Sequence, residues 1–188
     1  MTRLLGISGS LRAGSFNTAL LRGAQQGAGP DVQIEIATLH GIPLYDGDLE
    51  AASGIPDAVL ALKERVLASD GVLLATPEYN GGIPGVMKNA FDWLSRPGAD
   101  VVKVFRGRPV ALMGATPGAF GTGFAQAAWL PILKRLGVQT WSGGQVMLSR
   151  VSALMDAGGA ITDAAALEQL ADFVQGFAAF SARARSPG

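Results

Sequence analysis

Arg3-Leu4-Leu5-Gly6-Ile7-Ser8, followed at once by Gly9-Ser10-Leu11-Arg12-Ala13-Gly14-Ser15-Phe16-Asn17-Thr18, is the stretch on which the fold turns. The first part is a short apolar run ending in Gly-Ser punctuation, as expected of a buried strand. From Asn17 the pattern becomes helical. Ala19, Leu20 and Ala24 share one helix face, and Gly27-Ala28-Gly29-Pro30 stops the helix. A buried strand, a loop of small residues and a helix in that order open an alternating β-α chain.

The rest of the chain continues the alternation. Val32 to Ala37 places Val32, Ile34 and Ile36 on one face and Gln33 and Glu35 on the other, which predicts a strand with one exposed face near a sheet edge. A loop is expected over Leu39 to Ile55. Pro56 then stands in the first turn of a helix carrying Val59, Leu60, Leu62, Lys63, Val66 and Leu67. Gly71 to Ala75 is the most uniformly apolar strand and is expected to be central. Pro84 opens a helix with Val86, Met87, Ala90, Phe91 and Leu94 on its apolar face. Val110 to Met113 reads as a fourth strand, Gly114 to Gly123 as a glycine-rich loop, and Phe124 to Leu136 as a helix. Val138 starts a last strand region, broken by Gly143-Gly144 and resumed at Gln145 to Leu148. Thr162-Asp163 caps a final helix to about Ala184, and Arg185 to Gly188 is expected to fray.

Strands alternating with helices imply a parallel sheet covered on both sides. About five strands in so short a chain suit a flavodoxin-like three-layer sandwich, with strand order 2-1-3-4-5, better than a full dinucleotide fold. No linker or internal repeat divides it, so residues 1–188 are expected to form one domain. In such sheets a ligand sits beyond the carboxyl ends of the strands where strand order reverses, beside strands one and three. The loops there are the most unusual in the sequence.

Composition removes several function classes. Hydrophobic residues make up 48% and charged residues 16%, enough apolar material for a large core. With 15 basic and 15 acidic residues and no block of like charge, a nucleic-acid groove or a polybasic membrane patch has no support. There are no cysteines, which removes thiol nucleophiles, disulfides, iron–sulfur clusters and zinc-thiolate sites. The single histidine, His40, cannot build a multi-histidine metal site; it and the Asp46/Asp48 pair are expected to be ordinary loop residues. The opening residues lack a signal peptide's apolar stretch, and no window approaches a span of roughly 20 apolar residues. A cytoplasmic protein without membrane or nucleic-acid partners is expected.

The first loop has the chemistry of an anion cradle. Its small residues let backbone N–H groups approach a ligand, and the following helix start attracts negative charge. Ser10, Ser15, Asn17 and Thr18 add neutral donors, and Arg12 can supply a charge-assisted bond to phosphate. A plain strand-to-helix turn with Ser15 or Asn17 as N-cap is the alternative. Other phosphate motifs fail: Ser15-Phe16 replaces the Lys and Ser/Thr pair of a Walker loop, and no Gly-x-Gly-x-x-Gly follows the first strand. Gly6-Ile7-Ser8-Gly9-Ser10 resembles a nucleophile elbow but does not end in glycine, so a hydrolase using Ser8 or Ser10 is a weak rival.

Gly9-Ser10-Leu11-Arg12 with Ser15 and Asn17, followed by Pro77-Glu78-Tyr79-Asn80-Gly81 with Pro84, Lys88, Asn89 and Asp92-Trp93, resembles the NADPH-dependent FMN reductases. That flavodoxin-like group contains chromate, quinone and azo-dye reductases. The resemblance implies that Ser10, Arg12, Ser15, Asn17 and Thr18 bind the FMN phosphate. It implies that Pro77, Glu78, Tyr79, Asn80 and Gly81 wrap the isoalloxazine ring, mainly through backbone groups, and that Thr116 and Gly118 line the other side. NADPH, or NADH, would donate hydride to the flavin. A small-molecule acceptor such as a quinone, azo compound, metal oxyanion or free flavin would then receive the electrons. No catalytic side chain is required, since the flavin carries the chemistry. The resemblance also implies a homodimer or homotetramer, with Phe91, Trp93 and Leu94 in helix packing or at a subunit contact. The chain departs from the pattern at Phe124 and Leu130, where relatives often carry arginine. A flavodoxin-type electron carrier that does not itself oxidise NAD(P)H is the main alternative; such carriers are usually acidic, and this chain is neutral.

Overall fold

The computed structural model describes residues 1–185. Its strands are β1 (Thr2–Ser8), β2 (Val32–Ala37), β3 (Gly71–Ala75), β4 (Pro109–Ala115), β5 (Gln139–Thr140) and β6 (Val146–Leu148). The α-helices of the described residues are α1 (Phe16–Gly27), α2 (Gly47–Ser53), α3 (Asp57–Ala68), α4 (Gly85–Leu94), α5 (Val101–Val104), α6 (Gly123–Leu136) and α7 (Ala164–Arg185). All strand pairs are parallel, in the expected order β2-β1-β3-β4-β5, with β6 also on β4.

Successive side chains of a strand point to opposite faces, and here each face feeds its own core. Leu4, Leu73, Ala75, Ala111 and Met113 turn toward α1 and α7, where Leu20, Leu21, Leu170, Phe173 and Phe177 cover them. Leu5, Ile7, Val72, Leu74, Val110 and Leu112 turn the other way, toward Leu62, Met87, Phe91, Trp129 and Leu133 of α3, α4 and α6. The central strands are apolar on both faces because both faces are covered. β2 lies at the edge with Gln33 and Glu35 exposed, as its alternation requires.

Two readings need correction. The loop expected over Leu39 to Ile55 contains α2, which buries no residue and so has no apolar periodicity to reveal it. β4 continues through Gly114 and Ala115, so the following loop begins at Thr116 rather than Gly114. The last strand region is broken at Gly143-Gly144 as expected, into β5 and β6, both paired with β4. Of the terminal stretch expected to fray, Arg185 ends α7 and residues 186–188 lie outside the described residues. Asp163 caps α7 as expected, its Oδ1 accepting from Ala166 N at 2.9 Å.

Polar contacts hold α2 in place. Asp46 caps it, accepting from Asp48 N at 2.9 Å, so Asp46 serves a helix end rather than a metal. Glu50 accepts from Arg96 Nε at 2.8 Å and from the Tyr45 hydroxyl at 3.1 Å, while Tyr45 packs edge-on against Trp93. The Arg96 hydrogen bond holds the Glu50 carboxyl below its usual range. A depressed carboxyl contributes stability above its unfolded-state pKa and loses it as pH falls through the folded-state value. Acidification below the ordinary carboxylate range is therefore expected to release α2, read as a change in tryptophan emission that Trp93→Phe removes. Glu50→Gln should flatten that acid transition; an unaltered transition in the variant would place its cause elsewhere.

Candidate functional site

β1, β3 and β4 lie side by side, so the loops leaving their carboxyl ends meet. They enclose a cleft of about 220 Å³. Ser10, Arg12, Ser15, Phe16 and Asn17 line it from the first loop, Pro77, Glu78 and Tyr79 from the second, and Ala115, Thr116 and Pro117 from the third. Glycine at position 9 permits the close approach of the first two loops. A Cβ there would stand 2.7 Å from both Pro77 Cδ and Met87 Sδ, while Gly9 N donates to Ala75 O at 2.9 Å. A larger groove of about 490 Å³ lies between α6 and the split edge strand, lined by Gln126, Leu130 and Trp141. It contains no cationic side chain and lies apart from the loop motifs.

The hydroxyls of the first loop are arranged as donors. Ser15 is the N-cap of α1, its Oγ accepting from Thr18 N at 3.1 Å, and Ser10 Oγ accepts from Arg12 N at 3.3 Å. A hydroxyl that accepts a backbone N–H keeps its own proton to donate, so both buried serines have an O–H left for an anion. Capping and anion binding are thus one arrangement, because the cap leaves the first-turn N–H groups of α1 pointing outward. Thr18 Oγ1 lies 2.8 Å from Ser8 Oγ and braces the strand-to-helix turn from behind. Arg12 is exposed, with its guanidinium 5.8 Å from the Phe16 ring centroid.

Asn17 has a different role from that of a side-chain phosphate ligand. Its Nδ2 donates to Ala115 O and its Oδ1 accepts from Ala115 N, both at 3.0 Å and buried. The amide therefore completes the end of β4 as another strand would. It leaves the backbone N–H of Asn17, in the first turn of α1, as the group available to an anion.

In the second loop, Tyr79 and Gly82 exchange backbone hydrogen bonds of 3.2 and 3.1 Å. Between them Asn80 and Gly81 have φ of 52° and 72°, the paired positive values that make Asn-Gly the favoured type I′ sequence. Asn80 and Gly81 therefore shape the loop without lining the cleft, and half-exposed Tyr79 is not a core residue. Glu78 Oε2 accepts from Ala125 N at 3.1 Å, at the start of α6, whose own N-cap Thr122 makes no side-chain cap. The carboxylate lining the cleft is thereby directed at a helix N-terminus, which favours negative charge, instead of opposing a bound anion. Thr76 Oγ1 donates to Pro77 O at 3.0 Å and accepts from buried Trp129 Nε1 at 3.2 Å. Neither residue was marked by the sequence; both lock the start of this loop.

The third loop is tied to the end of β6 and the residues just after it. Thr116 N donates to Leu148 O at 2.9 Å, and Gly118 O accepts from Arg150 N at 2.9 Å. Thr116 Oγ1 also accepts from Gly118 N at 3.2 Å, which places Gly118 behind Thr116 and off the cleft surface. Phe91, Trp93 and Leu94 are buried within the chain, with Trp93 Nε1 donating to Pro43 O at 2.9 Å. Among the described residues no group of three or more His, Asp or Glu is placed to hold a metal, and no helix is long and apolar enough to cross a membrane.

These features can be set beside known proteins. The family described as NADPH-dependent FMN reductase matches residues 2–153. An NAD(P)H-dependent FMN reductase of Pseudomonas aeruginosa is 43% identical over 173 residues, covering 92% of this chain and 91% of the relative. A 2-hydroxy-1,4-benzoquinone reductase of a Burkholderia species is 33% identical over 174 residues, covering 93% of each. The solved structure of the flavoenzyme NAD(P)H:(acceptor) oxidoreductase FerB from Paracoccus denitrificans superimposes with a TM-score of 0.86 at 32% identity, covering 97% of this chain and 98% of that one. With both loop motifs in one cleft and the match running from β1 past β6, this chain belongs to the NADPH-dependent FMN reductase family.

Proposed function

We propose that the chain passes reducing equivalents from NADPH or NADH to a small-molecule acceptor, with FMN seated across the three loops. As a family member the chain is an FMN-dependent NAD(P)H oxidoreductase; the seat of the cofactor, the hydride path and the acceptor are our reading. The phosphate would lie at Ser10, Arg12, Ser15 and the first-turn N–H groups of α1. The ring would lie along Pro77, Glu78 and Tyr79, in a loop shaped by Asn80 and Gly81, with Thr116 beyond it and Gly118 supporting Thr116. The carrying observation is the convergence of spare hydroxyl donors and a free guanidinium in one cleft whose carboxylate is occupied elsewhere.

Bound FMN supplies hydride acceptance and donation, which this side-chain set lacks. The protein's part is to hold and orient. The N–H groups of Tyr79 and Gly82 are consumed by the turn, which leaves those of Glu78, Asn80 and Gly81 as the loop's donors among the described residues. His40 has both ring nitrogens engaged and Tyr79 is half exposed, so protons would come from water. For the acceptor, the benzoquinone reductase activity named for a relative favours a quinone over an azo compound, metal oxyanion or free flavin. The same reading takes residues 1–188 as one domain. It includes a homodimer or homotetramer, for which the exposed Leu44, Phe120, Phe124 and Leu130 supply apolar contact area.

Purified protein mixed with FMN and NADPH without oxygen should bleach the flavin's visible absorption, and added benzoquinone should restore it. A bound flavin that neither nicotinamide reduces would leave only the electron-carrier alternative. A reduced flavin that no quinone reoxidises would remove the acceptor assignment alone.

A further inference from the structure

His40 stands in the loop after β2, yet its ring reaches the first loop. Nε2 lies 3.0 Å from Leu11 O, across 29 residues of sequence, and Nδ1 lies 3.1 Å from Thr38 Oγ1. A carbonyl can only accept, so Nε2 carries the proton. In the neutral ring Nδ1 then accepts from the Thr38 hydroxyl, and in the imidazolium it donates to it. The bond to Leu11 is made in either protonation state.

The peptide joining Leu11 to Arg12 is trans, so its carbonyl and its N–H point in opposite directions. His40 holds the carbonyl end. Ser10 Oγ, 3.3 Å from Arg12 N, holds the other. With both ends held, the peptide plane has one orientation, which sets where the Arg12 side chain departs. The same orientation turns a Ser10 lone pair to the backbone, which leaves its O–H for a ligand. Without the imidazole only the weak Ser10 bond opposes rotation of the plane. Rotation would carry Arg12 N–H away from Ser10 and bring the negative end of the carbonyl toward the anion cradle.

We propose that His40 is a positioning residue for the phosphate end of the cleft, acting through the Leu11 carbonyl on Ser10 and Arg12. This rests on the cofactor reading above and assigns a role to a residue outside both loop motifs.

The test compares FMN with riboflavin, which lacks the phosphate, by titrating each into the flavin-free protein and following flavin fluorescence. The readout is the ratio of the two dissociation constants, which a general loss of fold would not move selectively. His40→Ala is expected to lower the FMN preference about five-fold, the scale of one ordinary hydrogen bond. His40→Gln places an amide N–H near the position of Nε2 and should keep the preference within about two-fold of wild type. An unchanged ratio in His40→Ala would overturn the proposal, as would equal losses in the alanine and glutamine variants. A wild-type protein that binds both flavins equally would overturn the phosphate assignment itself, a result distinct from either.

Discussion

Asn17→Ala is expected to lower unfolding stability by about 2–6 kcal/mol, because it strands two buried backbone groups at once. The Asn17 amide bonds both N and O of Ala115 at 3.0 Å, 98 residues away in sequence. With the amide gone, both groups of Ala115 remain desolvated at the end of β4, at about 1–3 kcal/mol each. Urea unfolding should show a lower midpoint with little change in slope. Asn17→Asp makes a sharper test. One carboxylate oxygen can still accept from Ala115 N, but the other then faces Ala115 O without a proton between them. Burial and that repulsion raise the carboxyl's folded-state pKa above its unfolded value of about 3.9. The aspartate variant should therefore approach wild-type stability in acid and lose ground as pH rises through that range. Equal unfolding midpoints for wild type and Asn17→Ala would show that the pair is not formed.

The largest effect on ligand binding is expected at Arg12. Among the described residues no ion pair or hydrogen bond occupies its guanidinium, which rests only against the Phe16 ring. Arg12→Ala should weaken FMN binding by about 1.5–3 kcal/mol, the range for hydrogen bonds to charged groups, or roughly 10- to 150-fold. Riboflavin binding should change little. Arg12→Lys should recover only part of the loss, since an ammonium keeps the charge but not the two-pronged geometry. FMN affinity unmoved by Arg12→Ala would show that the side chain points away from the phosphate. The proposed action of His40 runs through Arg12, so the two losses should not add in the double variant.

Much of this was legible beforehand, for reasons that differ by element. β1, β3 and β4 are buried on both faces and therefore apolar throughout, a signal that survives without any partner in view. α2 left no such trace. It is held by its Asp46 cap and by Glu50, Arg96 and Tyr45, contacts made across 46 residues in the case of Arg96. β5 and β6, of two and three residues, are too short for an alternation to register, and it is the glycines between them that mark the break. The glycines of the split explain the break but not that both pieces return to β4.

The loops show the same division. Residue type alone determined that an anion would be welcome after β1, since serines, a helix start and an arginine are local properties of Gly9 to Thr18. Residue type also determined the Asn80-Gly81 turn, because positive φ is a property of those two residues themselves. Only the tertiary structure decided how the polar groups are shared out. It gave the Asn17 side chain to Ala115, the Glu78 carboxylate to the start of α6, the Thr76 hydroxyl to Trp129 and the His40 ring to Leu11. Each of these side chains carries the same donors and acceptors in any fold. Which of them remain for a ligand depends on which backbone groups the sheet brings within 3 Å or so.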